Sequence, residues 1–465
     1  MESGGVLVRN VGRVSTTRSV LSELRVGSKL RLELSVITEF FATRLEGLNL
    51  QECSWNIGWE IQEGNPGATN PAVETAEVSF LSSSSSFIQA HIIAPARAGK
   101  YQLKISCTPP PATDFTLLEF ASSQYFHSEF LILPLISDEI IISTQPLRPK
   151  PTLFCYRDVH FPLTVSCSSG SEGTVSCSSV SEGSTECEPH SAPSSYSTFQ
   201  YIRIQEEYGA QIGSHLWDSC IILTRFLHSS RVLEKMLPPI STSTSTSTSA
   251  PKPANSEGRI AVELGAGLGL CGIYLAKYSH IQFKHVVITD TSKLLAHIGV
   301  NISNNMCENA VTKCIDFTKG NDAVGCIDSI DLGILDNIFE QRIDLILAAD
   351  VMYDEKITKS FLQTVKKLIL LEKQKHCDSD SEMWISCPLI VAQKVRGDKD
   401  KEYFELLIKI SLSQSESENE NSGATTGTSK NPQLETSYEL LYTEADVYVW
   451  SLQFIATVGR DFSSF

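Results

Sequence analysis

Arg259-Ile260-Ala261-Val262-Glu263-Leu264-Gly265-Ala266-Gly267-Leu268-Gly269-Leu270 is the stretch on which the reading turns. Its first half is a short apolar run of the kind that forms a buried strand. Its second half places three glycines at alternate positions, and an apolar segment over 270–278 follows with helical character. Strand, glycine turn and helix in that order make a ligand cradle. Glycine lets the backbone bend sharply and approach a ligand with no Cβ in the way, and the helix N-terminus presents unpaired N–H groups.

Outward from this loop, apolar strands alternate with amphipathic helices, the pattern of an open parallel sheet. His285–Asp290 is the second strand, 343–349 the third and 389–392 the fourth, and 438–442 with 447–454 form a closing antiparallel pair. A dinucleotide fingerprint needs G-x-G-x-x-G. Gly265 and Gly267 fit it, but Leu270 stands at the third position. The spacing is instead E-x-G-x-G-x-G. Glu263 would repel a pyrophosphate and would suit the cationic methionine end of S-adenosyl-L-methionine. Asp290, ending the next strand, could accept hydrogen bonds from both ribose hydroxyls. The methyl donor is therefore preferred over NAD, and over a turn that holds no ligand.

Five matches in order make residues 200–460 resemble the seven-β-strand methyltransferases, and within them family 16, mostly protein-lysine methyltransferases. They are Gly213-Ser214-His215-Leu216-Trp217-Asp218-Ser219; the glycine loop; Thr289-Asp290 followed by Asn301-Ile302-Ser303-Asn304-Asn305; Asp344-Leu345-Ile346-Leu347-Ala348-Ala349-Asp350-Val351-Met352-Tyr353-Asp354, with a D-x-x-Y signature; and Val391-Ala392-Gln393-Lys394-Val395-Arg396. The stretch 348–361 is most similar to the branch called methyltransferase-like protein 22. One departure stands out: the family's Leu-Asp-Trp beside the adenine has two candidate replacements, Ile315-Asp316-Phe317 and Leu335-Asp336-Asn337. The first is preferred because Phe317 keeps an aromatic face.

The resemblance implies a Rossmann-like, seven-stranded twisted α/β sheet with helices on both faces, and an enzyme that methylates a lysine of a protein substrate. Histidine or arginine is an alternative acceptor, and an inactive cofactor-binding scaffold an alternative role. The cofactor contacts implied are Trp217, Glu263, Gly265, Gly267, Gly269, Asp290, Asp316, Phe317 and Ala349. The catalytic residues implied are Asp350, which would orient the amine, and Tyr353, which would wall a channel for the lysine stem. Lys394 and Arg396 are read as surface residues.

The rest of the chain reads differently. Residues 1–150 carry alternating polar and apolar segments, such as 29–36 and 100–107, separated by turn residues, and suggest a β-sandwich. Cys53, Trp59 and Cys107 hint at an immunoglobulin pattern, but Ile105 stands where its tyrosine belongs. Residues 151–199 form a Ser- and Cys-rich linker in which Thr-Val-Ser-Cys-Ser-Ser occurs at 164 and again at 174, too apolar-poor to bury a core. The catalytic domain is placed at 200–465, with low-complexity loops at 238–256 and 411–432.

Composition narrows the class. The 465 residues carry a formal net charge of −16 with no polybasic run, which argues against binding to nucleic acid through phosphate contacts. The most apolar segment outside the motifs, 130–136, is too short to span a bilayer. The N-terminus lacks a signal sequence, and the thirteen cysteines include no Cys-x-x-Cys metal spacing. A cytoplasmic or nuclear protein without a bound metal is expected.

Overall fold

The computed structural model describes residues 10–16, 23–37, 49–62, 73–83, 87–108, 130–145, 154–161, 200–207, 212–237, 258–317, 343–376, 383–397, 402–403, 433–444 and 446–457. The two low-complexity loops at 238–256 and 411–432, the repeat at 164–179 and the alternative adenine segment at 335–337 lie outside them.

The N-terminal region is a sandwich of two sheets. One contains β1 (Asn10–Thr16), β3 (Lys29–Ile37), β6 (Val78–Ser83), β7 (Ile88–Ile93) and β9 (Phe130–Leu133), in the order β6-β7-β3-β1-β9. The other is built on β8 (Gly99–Thr108), with β2 (Glu23–Arg25), β4 (Ser54–Ile61), β5 (Val73–Thr75), β10 (Leu135–Ser137), β11 (Ile140–Ser143), β12 (Phe154–Phe161) and β13 (Gln200–Glu207). The period of two sends alternate side chains inward. Leu30, Leu32, Leu34 and Val36 of β3 therefore meet Tyr101, Leu103, Ile105 and Cys107 of β8 in one core. Trp59 fills its centre and donates its indole N–H to the Ile93 carbonyl at 3.0 Å.

Two strands correct the expected boundaries. Residues 154–161, placed in the linker from sequence, form β12, whose Cys155, Val159 and Phe161 are buried. β12 pairs antiparallel with β13 over eight positions, from Phe154↔Glu207 to Phe161↔Gln200. So β13, which lies inside the half placed at 200–465 from sequence, is hydrogen-bonded into the N-terminal sheet. The misreading has a physical cause. Phe-Cys-Tyr-Arg-Asp-Val-His-Phe carries Arg and Asp in its middle, and both are buried at 1% exposure because partners on neighbouring strands neutralise them.

The catalytic half is an α/β sheet. β14 (Arg259–Leu264) lies between β15 (Phe283–Asp290) and β17 (Leu345–Ala349), all parallel; β16 (Ala310–Cys314) extends one side and β19 (Leu389–Lys394) the other. β20 (Gln433–Glu444) and β21 (Val447–Thr457) close the sheet antiparallel. These are the seven strands expected, and the three-residue β18 (Met383–Ile385) adds an eighth at the far end of β21. Central strands are buried on both faces. Ala261, Leu345 and Leu347 point into one core, with α1 (Asp218–Ser230), α3 (Leu270–Lys277) and α4 (Ser292–Asn304). Ile260, Val262, Leu264 and Ile346 point into the other, against α5 (Glu355–His376). The short α2 (Val232–Met236) follows α1.

β13 joins the halves through two asparagines one helical turn apart. Asn301 accepts the Gln205 N–H at 2.8 Å and donates to the Gln205 carbonyl at 3.5 Å. Asn305 accepts the Arg203 N–H at 3.1 Å and donates to its carbonyl at 2.7 Å. The outward-facing peptide groups of β13 thus meet carboxamides where another strand would otherwise lie, which covers the exposed edge. Asn301 also donates to the Leu268 carbonyl in the glycine loop at 3.1 Å. Asn301→Ala should therefore lower stability by about 1–3 kcal/mol for the buried peptide groups left unpaired, read from urea unfolding. A loss too small to resolve would show that this edge is not held by α4.

Candidate functional site

The site lies where strand order reverses, between β14 and β17, at the C-terminal ends of the parallel strands, the usual ligand position in open α/β sheets. Gly265, Gly267 and Gly269 have φ of 64°, 56° and 81°. A side chain at Gly265 would meet Val351 Cγ1 at 2.7 Å and Phe317 Cε2 at 3.1 Å, so that position is closed to any other residue. The loop is tied at both ends by carboxylates. Asp290 accepts the Gly267 N–H at 2.8 Å through one oxygen and the Thr291 N–H at 2.6 Å through the other. Glu263 accepts the Gly272 N–H, in the first turn of α3, at 2.8 Å.

A cavity of about 490 Å³ opens beside the loop. Gly265, Gly267, Asp290, Asp316, Phe317, Ala349, Asp350, Tyr353 and Trp217 line it together. Of the residues singled out from sequence, Glu263 and Gly269 do not. Glu263 is 2% exposed behind the loop, where it caps α3. Gly269 is the helix N-cap and faces Ile298 and Ile288. In the E-x-G-x-G-x-G pattern the glutamate holds the Gly272 amide and does not line the cavity.

The remaining residues form two groups. In one, Asp290 and Asp316 stand with Phe317, whose ring meets Phe361 edge-on at 5.7 Å. A carboxylate offers about four acceptor positions. Two backbone amides take two of those on Asp290 and the Thr291 hydroxyl a third, leaving room for about one more donor; burial pushes its carboxyl above the usual range. The second group is built on Asp350, a non-glycine residue at φ 59°, a backbone conformation that costs energy and collects at functional sites. Its N–H donates to the Ala392 carbonyl at 2.8 Å. Arg396 grips both its oxygens, Nη1 reaching Oδ1 at 2.8 Å, and Gln393 donates to Oδ1 at 2.9 Å. Tyr353, 50% exposed, stands at the mouth. Burial and the neighbouring Asp290, Asp354 and Asp350 raise its phenol above the usual value, so it keeps its proton at neutral pH.

Arg396 and Lys394, read from sequence as surface residues, are 21% exposed and work at this rim. Lys394 bonds Asp218 at 2.5 Å, joining β19 to the start of α1. The Arg396 guanidinium also lies 5.5 Å from the centre of the Trp217 ring, a cation–π distance. The available signal was their place at the end of a parallel strand, the same argument that singled out Asp350.

The group implied by sequence fits these residues. The cradle excludes side chains at Gly265, a carboxylate with acceptor capacity left and an aromatic ring line the same cavity, and the volume suits a ligand of nucleoside size.

Glu263 makes a test of the loop possible without ligand. Burial pushes its carboxyl from the usual 4.5 up to about 8, against the opposing pull of the Gly272 and Cys271 amides. The folded chain therefore holds a proton that the unfolded chain gives up between those values, and stability falls as pH rises through that window. In the ligand-free protein, Glu263→Gln should gain on the wild type in melting temperature from pH 5 to pH 8. A difference that does not change with pH would place a charged Glu263 in the folded loop.

Residues 197–410 match a family described as "Lysine methyltransferase". EEF1A lysine methyltransferase 3 of Xenopus tropicalis is 24% identical over 169 residues, 36% of this chain and 58% of that protein. Protein N-lysine methyltransferase METTL21A of Mus musculus is 25% identical over 210 residues, 44% and 72% respectively. A methyltransferase of Aquifex aeolicus described as SAM dependent is a structural neighbour at 11% identity and a TM-score of 0.25, covering 43% of this chain and 82% of that one. Residues 197–410, less than half of the chain, match that lysine methyltransferase family, and with the site above they read as an S-adenosylmethionine-dependent methyltransferase domain.

Proposed function

We propose that the protein transfers a methyl group from S-adenosylmethionine to a lysine side chain of a protein substrate. The observation that carries this reading is the shared lining of one cavity, where a carboxylate and an aromatic ring suited to a nucleoside stand with a gripped carboxylate and a half-exposed phenol. Bound there, S-adenosylmethionine supplies an electrophilic methyl on a sulfonium.

The chain's own residues have two tasks. A lysine amine is neutral roughly one time in two thousand at pH 7, from its ordinary pKa near 10.4, so it must lose its proton and be aligned. Arg396 takes two acceptor positions on Asp350 and Gln393 a third, which leaves about one for an amine N–H. That is enough to orient the nitrogen without holding it fully charged. Tyr353 walls the approach, and its protonated hydroxyl stands at the mouth to steer the nitrogen. Gly267, Asp290, Asp316, Phe317, Ala349 and Trp217 hold the donor.

Cell lysate incubated with the protein and labelled S-adenosylmethionine, then read by mass spectrometry, should show label on a lysine side chain. Label on histidine or arginine would replace the acceptor, and no transfer would leave a cofactor-binding scaffold.

Variants separate the two groups. Asp350→Ala should slow transfer by roughly a hundredfold and leave cofactor affinity within a few-fold, while Tyr353→Phe should be intermediate. Asp290→Ala should do the reverse, weakening cofactor binding by roughly 1.5–3 kcal/mol, as for one lost charge-assisted hydrogen bond. Normal transfer by a folded Asp350→Ala would make the D-x-x-Y segment structural.

A further inference from the structure

The wall facing the glycine loop is the segment 213–217. The Gly213 carbonyl lies 3.3 Å from where a side chain on Gly267 would begin, and Leu216 and Trp217 line the cavity. What fixes this wall comes from outside the catalytic sheet. The Leu216 N–H donates to Glu206 Oε1 at 2.8 Å. Glu206 is on β13, 1% exposed, and its other oxygen takes the Arg157 Nε–H at 2.7 Å. Arg157 is on β12, also 1% exposed, and donates through Nη1 to the Pro134 carbonyl at 3.1 Å. Pro134 immediately precedes β10, which pairs with both β8 and β12 in the sandwich.

We infer that Arg157 is a positioning residue through which the N-terminal sandwich sets the cavity wall at 213–217, and so the affinity for the cofactor, without touching it. This rests on the cofactor reading above. A buried carboxylate needs partners; Arg157 and the Cys155 thiol hold one oxygen of Glu206, and its other oxygen takes the Leu216 N–H. The bond it makes to an amide is charge-assisted, hence stronger and more directional than a neutral one. Without Arg157, Glu206 must take up a proton or turn toward other donors, and either change alters its hold on Leu216. The arrangement gives the N-terminal region a task in the catalytic half that β12–β13 pairing alone does not.

The test uses the full chain, Arg157→Leu and Arg157→Lys, with Trp59→Phe as a control that weakens the sandwich away from Glu206. Calorimetry with S-adenosylmethionine, well below every melting temperature, should give a dissociation constant raised about tenfold in Arg157→Leu. Arg157→Lys, which keeps the charge but not the forked geometry, should lie between it and the wild type. Trp59→Phe should match the wild type within about twofold. Hydrogen exchange should rise over 212–218 in both Arg157 variants and stay unchanged in Trp59→Phe. If Arg157→Leu does not fold, Arg157→Lys decides by the same two readings.

Unchanged affinity and exchange in a folded Arg157 variant would overturn the relay. So would equal weakening by Trp59→Phe, which would make the effect one of general stability. A wild-type protein that binds no S-adenosylmethionine would instead overturn the cofactor reading, while exchange over 212–218 would still decide the relay.

Discussion

The hydrogen bond from the Gly267 amide to the Asp290 carboxylate is the contact on which the site depends. It closes the loop after β14 against the end of β15, across the seam between two parallel strands. A loop with three positive-φ glycines is soft, because glycine has the most conformational freedom to lose. The structure restrains it from several directions: Asp290 in front, Glu263 behind at α3, Asn301 at the Leu268 carbonyl and the Gly213 carbonyl opposite. The cavity exists because these restraints leave its inner surface backbone-lined and open.

The same economy links the two halves of the molecule. β13 is a strand of the N-terminal sheet, an edge capped by α4 and the carrier of Glu206, all at once. Its inward residues, Ile202 and Ile204, belong to the core shared with α1, α3 and α4. The sandwich is therefore packed into the catalytic half rather than tethered to it, which is why a boundary drawn at residue 150 misses the junction.

Much of this was legible in the sequence, and the limits are physical. Periodicity located β14, β15, β17, β19 and the closing pair, because central parallel strands read as apolar runs and half-buried ones alternate. Glycine spacing located the cradle, and strand ends located Asp290 and Asp350. Burial of charge was not legible. Arg157, Glu206, Arg396 and Lys394 look like surface residues until partners far away in the chain are brought beside them. For the same reason Glu263 was assigned to the ligand: a sequence shows a carboxylate near a loop, and only the fold shows which side of the loop it occupies. The asparagines of α4 came through as a motif, but their work as a substitute strand needed β13 in place.

The central claim is that one cavity holds S-adenosylmethionine, with its nucleoside between Asp290 and Phe317 and its sulfur end toward Asp350. A crystal structure of the full chain with S-adenosylhomocysteine tests it most directly. The account predicts a ribose hydroxyl on the Asp290 carboxylate, the adenine against the Phe317 ring, and the sulfur facing the opening between Asp350 and Tyr353. A ligand bound elsewhere, or one in the cavity with its adenine toward Asp350, would contradict it.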